Sequence, residues 1–116
     1  MKLTESDVQK YVINSFNNAG WLVVITHDSW HRPVHDGIAD LLAIKNGLHA
    51  WIETKAPDWK ECSDPAKMSK REHNQAVFAA AIREAGGLYM RVQTTEEADR
   101  ALRRLLKELD RRAEKR

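Results

Sequence analysis

Three ionisable residues, Asp40, Glu53 and Lys55, flank the dipeptide Asn46-Gly47 at spacings that could support chemistry. Asn-Gly between two apolar runs predicts a β-hairpin with a two-residue turn. Asp40 lies six residues before Asn46 and Glu53 lies six residues after Gly47, so the two carboxylates should face each other across the hairpin. Lys55 follows Glu53 by two residues and should project from the same face. The sequence therefore predicts two carboxylates and one ammonium group at one end of a sheet.

Such an arrangement favours a bound divalent cation. Directly opposed carboxylates repel each other, and Mg²⁺ relieves the repulsion because it takes oxygen ligands from one or two carboxylates, water and phosphate. The cation would polarise a phosphate and activate a water molecule, and Lys55 would hold that water or balance the developing charge. The alternative interpretation is that Lys55 pairs with Glu53 or Asp40 on a solvated sheet end.

The flanking sequence predicts the elements that position these residues. Helices are indicated by N-capping residues followed by helically spaced apolar residues, and strands by short β-branched or apolar runs. The chain is predicted to begin with a helix after Thr4, followed by a strand at 21–27 that is buried on both faces and a loop at 28–37. A hairpin with strands 38–45 and 48–55 comes next, and then a loop at 56–68. The remaining elements are a helix capped by Ser69, a strand at 88–92 and a helix capped by Thr94.

The order α-β-β-β-α-β-α indicates an α/β fold with a mixed central sheet flanked by helices. The chain has no internal repeat and no obvious linker, so residues 1–116 are predicted to form one domain. The thirteen-residue loop at 56–68 is longer than usual, and loops of that length are often functional.

The combination of Asp40 with Glu53-Thr54-Lys55 at the end of a hairpin resembles the PD-(D/E)XK nuclease superfamily, which has a restriction-endonuclease-like fold. It is most similar to the VRR-NUC branch over nearly the whole chain. The segments that carry this resemblance are TESDVQ (4–9), GIADLL (37–42), WIETK (51–55) and NQAVF (74–78). Ala39 stands where the superfamily motif has a proline.

This resemblance implies metal-dependent hydrolysis of DNA phosphodiesters, with Mg²⁺ or Mn²⁺ as the cofactor. Asp40, Glu53 and the backbone carbonyl of Thr54 would bind the metal, and Lys55 would be the catalytic lysine. Glu5 would assist the metal directly or through water, and Gln75 would orient Lys55 or the phosphate. It also implies a homodimer that cleaves branched DNA such as four-way junctions. From their apolar character, we expect Trp51, Trp59 or Leu88 to contribute to the dimer contact.

The positions of Glu5 and Gln75 in their predicted helices agree with these roles. Glu5 precedes Val8 by three residues, and Gln75 precedes Phe78 by three, so both should lie on the buried stripe of a helix. Buried polar side chains need polar partners, which a metal-and-phosphate site would supply. The alternatives are that Glu5 stabilises the helix dipole and that Gln75 is a boundary residue.

Polar and aromatic residues around the predicted site are candidate DNA contacts, by stacking and by phosphate pairing. A zinc site formed by His27, His31 and His35 is less favoured, because their spacing of four falls on a strand and a loop rather than on a helix. The candidate contacts are Trp30, His31, Arg32, His35, Lys60, Lys70 and Arg71. For the lysines and Arg71, a solvated surface is an equal alternative.

Composition limits the other possibilities. The net charge is only +2, but residues 102–116 carry seven Arg or Lys against three Asp or Glu, which makes the last helix a further candidate phosphate-binding surface. Cys62 is the single cysteine, so an intrachain disulfide and a thiolate metal cluster are excluded. No apolar run approaches the roughly 18–20 residues of a membrane span, and a cytoplasmic location is expected.

Two other functions are compatible with the same residues. One is a nucleic-acid-binding module that keeps the fold without catalysis. The other is a sequence-specific restriction-type endonuclease, which the short chain makes less favoured than recognition of DNA shape.

Overall fold

The structure of the protein is a computed structural model that describes residues 3–26 and 39–115. Three helices and four strands follow one another in the order α-β-β-β-α-β-α, with a short 3₁₀ helix at Pro65–Lys67 before the second α-helix. Their bounds are α1 Glu5–Asn18, β1 Leu22–Ile25, β2 Leu41–Lys45, β3 Leu48–Thr54, α2 Lys70–Glu84, β4 Leu88–Val92 and α3 Thr95–Glu114. The predicted α/β fold is confirmed.

The central hairpin has the predicted turn. Asn46 and Gly47 have φ angles of 50° and 81°, and two consecutive positive φ angles are what a type I′ turn requires. This turn sets an antiparallel register in which Leu41 pairs with Ile52 and Lys45 pairs with Leu48. Continuing the register by one residue places Asp40 across from Glu53, as predicted from their spacing.

The sheet is mixed, and its strand order is β1-β2-β3-β4. The first three strands are antiparallel neighbours, whereas β4 runs parallel to β3. A parallel pair needs a crossover connection, and the segment containing α2 provides it. β4 therefore forms one edge of the sheet and β1 the other.

Helices cover both faces of the sheet. On one face, α1 and α3 bury the main core, which includes Val8, Phe16, Leu41, Ile52 and Leu105. On the other face, a smaller core joins α2 to the sheet and contains Ala39, Phe78, Ala79 and Tyr89. Because successive side chains of a strand alternate between faces, residues beside Leu41 and Ile52 project towards the α2 face. Asp40, Glu53 and Lys55 therefore share that face.

The predicted N-caps are all present. The side-chain oxygens of Thr4, Ser69 and Thr94 accept hydrogen bonds from the N–H groups of Asp7, Glu72 and Glu97. Thr4 and Asp7 form a complete capping box. Each cap satisfies a backbone donor that a helix start otherwise leaves without a partner.

The prediction that the first strand is buried on both faces was wrong. Leu22, Val24 and Ile25 are 62%, 40% and 53% exposed. β1 is an edge strand, and α2 packs against β4 at the opposite edge, so one face of β1 is left open to solvent. Apolar composition alone does not distinguish an edge strand from a central one. The second strand also begins later than predicted, at Leu41.

None of the helices within residues 3–26 and 39–115 combines the length and apolar character needed to span a lipid bilayer.

A pair of leucine truncations tests this assignment of buried and exposed strands. Leu41→Ala removes a fully buried side chain from the main core and should lower the free energy of unfolding by about 2–5 kcal/mol. Leu22→Ala, at the exposed edge, should change it by less than about 1 kcal/mol. Urea denaturation of both variants measures the two values. Equal losses would contradict the position of β1 at an open edge.

Candidate nuclease-type site

Asp40 is held at the entrance to β2. Its backbone carbonyl accepts a hydrogen bond from the N–H of Thr26 at 3.1 Å, which ties it to the end of β1. The preceding residue, Ala39, is fully buried in the α2-side core with Phe78 and Tyr89. Asp40 itself is 5% exposed. The Asp40 carboxylate is therefore buried, and its backbone is held by the hydrogen bond from Thr26 and by the packing of Ala39.

The Asp40 carboxylate is bound by Thr54 on the neighbouring strand. Its Oδ2 accepts hydrogen bonds from the backbone N–H of Thr54 at 2.8 Å and from the Thr54 hydroxyl at 3.0 Å. These two hydrogen bonds fix the direction of the carboxylate. The contact also shows that Thr54 presents its backbone to the Asp40 side of β3.

Glu53 has different partners, on β4. Its Oε1 accepts a hydrogen bond from the Tyr89 hydroxyl at 2.7 Å, and its Oε2 accepts one from Arg91 Nε at 3.3 Å. Burial and the hydrogen bond to Glu53 raise the pKa of the Tyr89 phenol well above its usual value, so the phenol keeps its proton and remains a donor. Glu53 is 1% exposed. The two opposed carboxylates, Asp40 and Glu53, are thus held by different partners.

Lys55 is buried beside this pair, but a neutral group binds it. Its Nζ donates a hydrogen bond to Gln75 Oε1 at 2.9 Å and lies 5.1 Å from the centre of the Trp59 ring. In the described part of the chain, no carboxylate lies within ion-pair distance of Nζ. Because an ammonium group only donates, the amide oxygen of Gln75 must face it, and the amide NH₂ is directed elsewhere.

The start of the 56–68 loop is anchored over the site. Arg91 stacks on the Trp59 ring, with 4.7 Å between the guanidinium carbon and the ring centre. The side-chain amide of Gln93 donates to the carbonyls of Pro57 and Trp59 at 3.2 and 3.0 Å. The Trp59 ring therefore contacts the cations of both Lys55 and Arg91, and Gln93 holds the Trp59 backbone in place.

A cleft of about 150 Å³ opens beside these groups, lined in part by Glu53, Trp59, Gln75, Tyr89 and Arg91. Two further carboxylates, Glu61 and Glu72, and a second arginine, Arg83, also line it, so its wall carries charges of both signs.

Oxygen ligands for a hard cation are present at one end of this site. A carboxylate has about four lone-pair positions, and the hydrogen bonds of Glu53 with Tyr89 and Arg91 use two of them. The Glu53 and Asp40 carboxylates and the Thr54 carbonyl are donors that suit Mg²⁺ or Mn²⁺. Mg²⁺ commonly takes only one or two protein carboxylates and completes its shell with water and substrate. The residues present therefore fit such an ion.

The structure buries most of the predicted site residues, whereas Glu5 is only half-buried. Asp40, Glu53, Thr54, Lys55 and Gln75 are the buried polar or charged residues of the described chain. Glu5 is half-buried in the first turn of α1, which packs on the opposite face of the sheet. Among residues 3–26 and 39–115, no three His, Cys, Asp or Glu side chains form a group that could hold a metal.

The predicted nucleic-acid contacts divide into two sets. Lys60, Lys70 and Arg71 are exposed, on the 56–68 loop and in the first turn of α2. The other four, together with the histidines weighed as zinc ligands, lie outside the described residues: Trp30, His31, Arg32, His35 and His27.

Comparison with solved structures finds a chain described as a VRR_NUC domain. It superimposes with a TM-score of 0.62 at 24% sequence identity, over 87% of this chain and 97% of that chain. The protein has the fold of a VRR_NUC domain. No family model matches the sequence, and no curated protein does. This likeness agrees with the restriction-endonuclease-like fold expected from the sequence.

The sequence did not predict several residues of this VRR_NUC-type fold that contact the site residues. Tyr89 and Arg91 contact Glu53, and Trp59 and Gln93 form the anchored loop. The sequence offered a partial signal for Tyr89 and Arg91, because they are two residues apart on one predicted strand and should share a face. No signal in the sequence gave the register of the parallel pair that brings Arg91 opposite Glu53.

Removal of the Tyr89 hydroxyl tests how Glu53 is compensated. Tyr89→Phe leaves a buried carboxylate without its shortest hydrogen bond, so the free energy of unfolding should fall by about 1.5–3 kcal/mol. Tyr11→Phe is a matched control, because the Tyr11 hydroxyl also donates to a carboxylate, that of Asp99, at a more exposed position. Chemical denaturation should show a clearly smaller loss for the control. A Tyr89→Phe variant with the same free energy of unfolding as the wild type would contradict the hydrogen bond assigned to Glu53.

Proposed function

We propose that the protein is a nuclease that uses a divalent metal to hydrolyse DNA phosphodiester bonds at Asp40, Glu53 and Lys55. The observation that carries this proposal is the hydrogen bond from Lys55 to Gln75 at 2.9 Å. A buried ammonium group is costly unless it is compensated, and a carboxylate is its usual partner. Here a neutral amide holds Lys55 next to two carboxylates, which keeps its charge available for an anion such as phosphate.

Asp40, Glu53 and the carbonyl of Thr54 would hold Mg²⁺ or Mn²⁺. When bound, such a cation polarises the scissile phosphate and lowers the pKa of a bound water molecule. The contacts of Asp40 with Thr54 and of Glu53 with Tyr89 and Arg91 keep both carboxylates oriented before any ion arrives. Glu5 is assigned no direct ligand position, and its contribution in this proposal is through water.

Lys55 acts on the phosphate or on the attacking water. One of its three N–H donors is used by Gln75, which leaves donors for a phosphoryl oxygen or for the nucleophile. Its charge offsets the negative charge that accumulates on the phosphorus-bound oxygens in the transition state. Gln75 fixes the direction of the ammonium group, and its own NH₂ can donate to the phosphate.

Cleavage assays with labelled duplex, flap and four-way-junction DNA test the proposal. Activity should disappear with EDTA and return with Mg²⁺ or Mn²⁺. Lys55→Met should slow cleavage by about 10²–10³-fold, the usual loss for one donor to a developing oxyanion, while DNA binding changes little. Asp40→Asn should slow cleavage and also weaken metal binding, which calorimetry measures directly.

Lys107→Met is the matched control for Lys55→Met, because Lys107 is exposed on α3. It should cleave at the wild-type rate. Full activity in EDTA, or a Lys55→Met variant as active as the control, would show that the site is wrongly assigned. DNA binding without cleavage under any metal would instead support a non-catalytic binding module. Cleavage of one linear sequence only would support a restriction-type endonuclease.

We further propose that the substrate is branched DNA and that the protein acts as a homodimer. A four-way junction has two-fold symmetry, and a symmetric dimer presents two identical sites to it. The side chains expected at the dimer contact are half-buried within the chain: Trp51 packs edge-on against Phe78, Trp59 contacts two cations, and Leu88 packs on the main core. Their exposed portions are the part that would contribute to a dimer contact.

Light scattering at micromolar concentration, with and without junction DNA, measures the assembly. The expected particle has twice the monomer mass of 13.3 kDa. Retention of the monomer mass under both conditions would exclude the hypothesis of paired cleavage by a homodimer. It would not contradict the proposed nuclease chemistry.

A further inference from the structure

A groove of about 300 Å³ lies beside β4, on the far side of that strand from β3, and four arginines line it. Arg83 comes from α2, Arg91 from β4, and Arg100 and Arg104 from α3. Arg100 and Arg104 are four residues apart, so they project from one face of the helix. Three consecutive elements thus contribute guanidinium groups to one concave surface, here called the arginine groove.

The positive charge of this groove is poorly neutralised by the chain itself. Glu97 is the acidic residue among those that line it, but its carboxylate already accepts hydrogen bonds from the Gln93 N–H and the Thr94 hydroxyl. Within residues 3–26 and 39–115, Arg83, Arg100 and Arg104 have no ion-pair partner. Arg91 is paired with Glu53 and Glu61. The uncompensated charge therefore comes from the other three arginines, which repel one another unless an anion binds between them.

Other cations of α3 behave differently. Arg111 and Arg112 both bind Glu108, and these hydrogen bonds lower the pKa of the Glu108 carboxyl to about 2. The basic end of the chain, which the sequence suggested as a phosphate-binding surface, is therefore partly self-neutralised. The arginines left for an external anion lie earlier in the helix.

The groove is continuous with the candidate site. Arg83, Tyr89 and Arg91 line both the arginine groove and the cleft that contains Glu53 and Gln75. The edge of β4 lies between them. The Val92 carbonyl faces β3, where it accepts a hydrogen bond from the Lys55 N–H at 2.9 Å. Backbone groups of a strand alternate in direction, so those of Tyr89 and Arg91 face the open edge and add N–H donors there.

We propose that the arginine groove binds the phosphate backbone of a nucleic-acid strand as it leaves the Asp40, Glu53 and Lys55 site. The proposal rests on the proposed function, which places a phosphodiester in the adjoining cleft. Guanidinium groups bind phosphate oxygens in a bidentate manner, which suits a row of phosphates better than lysines do. Contacts of this kind set the position of a strand without reading its sequence.

Fluorescence anisotropy with a labelled single-stranded oligonucleotide and a labelled duplex, in EDTA, tests the groove without any cleavage. Arg100→Glu with Arg104→Glu should weaken binding of both probes by at least about tenfold at 100 mM salt, since two phosphate contacts become repulsive. The double variant Arg100→Gln with Arg104→Gln should lower the dependence of log affinity on log salt by about 1.4 for the single strand, or about 0.7 for each contact.

Arg103→Glu with Lys107→Glu is the matched control. These two residues are also exposed and four apart on α3, and neither lines the groove, so the change in net charge is identical. The control should lose less than about threefold in affinity. Thermal unfolding must show that all the double variants remain folded.

Equal losses in the Arg100/Arg104 variants and the control would overturn the proposal, because they would reflect overall charge. Unchanged binding in the groove variants would overturn it as well. Binding of a poly-glutamate peptide that depends on Arg100 and Arg104, without such dependence for nucleic acid, would identify a protein-docking surface instead. Absence of cleavage by the wild-type protein would refute the proposed function alone, since the anisotropy measurement does not use it.

Discussion

The register of the β2–β3 hairpin is the constraint on which the rest of the site depends. A type I′ turn at Asn46-Gly47 pairs Leu41 with Ile52 and so brings Asp40 across from Glu53. A slip of one residue would move every side chain of one strand to the other face of the sheet. A slip of β2 would take Leu41 out of the main core and direct Asp40 into it, and a slip of β3 would do the same to Ile52 and Glu53. Core packing and site geometry are therefore specified by the same backbone pairing.

This pairing creates an electrostatic conflict that the chain resolves locally. Thr54 binds Asp40, whereas Tyr89 and Arg91 bind Glu53, so each carboxylate has hydrogen-bond partners of its own. The compensation differs from the initial expectation, in which a cation alone relieved the repulsion. A site satisfied in this way can be rigid before any ion binds. Preorganised charges of this kind need little rearrangement during a reaction.

β4 connects the candidate site to the wider surface. Its residues alternate between the main core, through Met90 and Val92, and the α2 face, through Tyr89 and Arg91. As the edge strand it also borders the arginine groove. One short strand thus supports the core, orients Glu53 and faces a strongly basic surface. Exposed strand edges are usually protected in natural proteins, and charged side chains are one common means.

The sequence by itself determined the elements of this protein, because each depends on local physics. Helix caps at Thr4, Ser69 and Thr94, the Asn46-Gly47 turn and the spacing of Asp40, Glu53 and Lys55 are short-range features, and the α-β-β-β-α-β-α order followed from them. The tertiary structure decided what depends on contacts between distant segments. The exposure of β1 and the placement of α1 on the face opposite α2 arise from sheet order and helix packing. The parallel register of β3 and β4 is another such feature, since no turn connects those strands to set it.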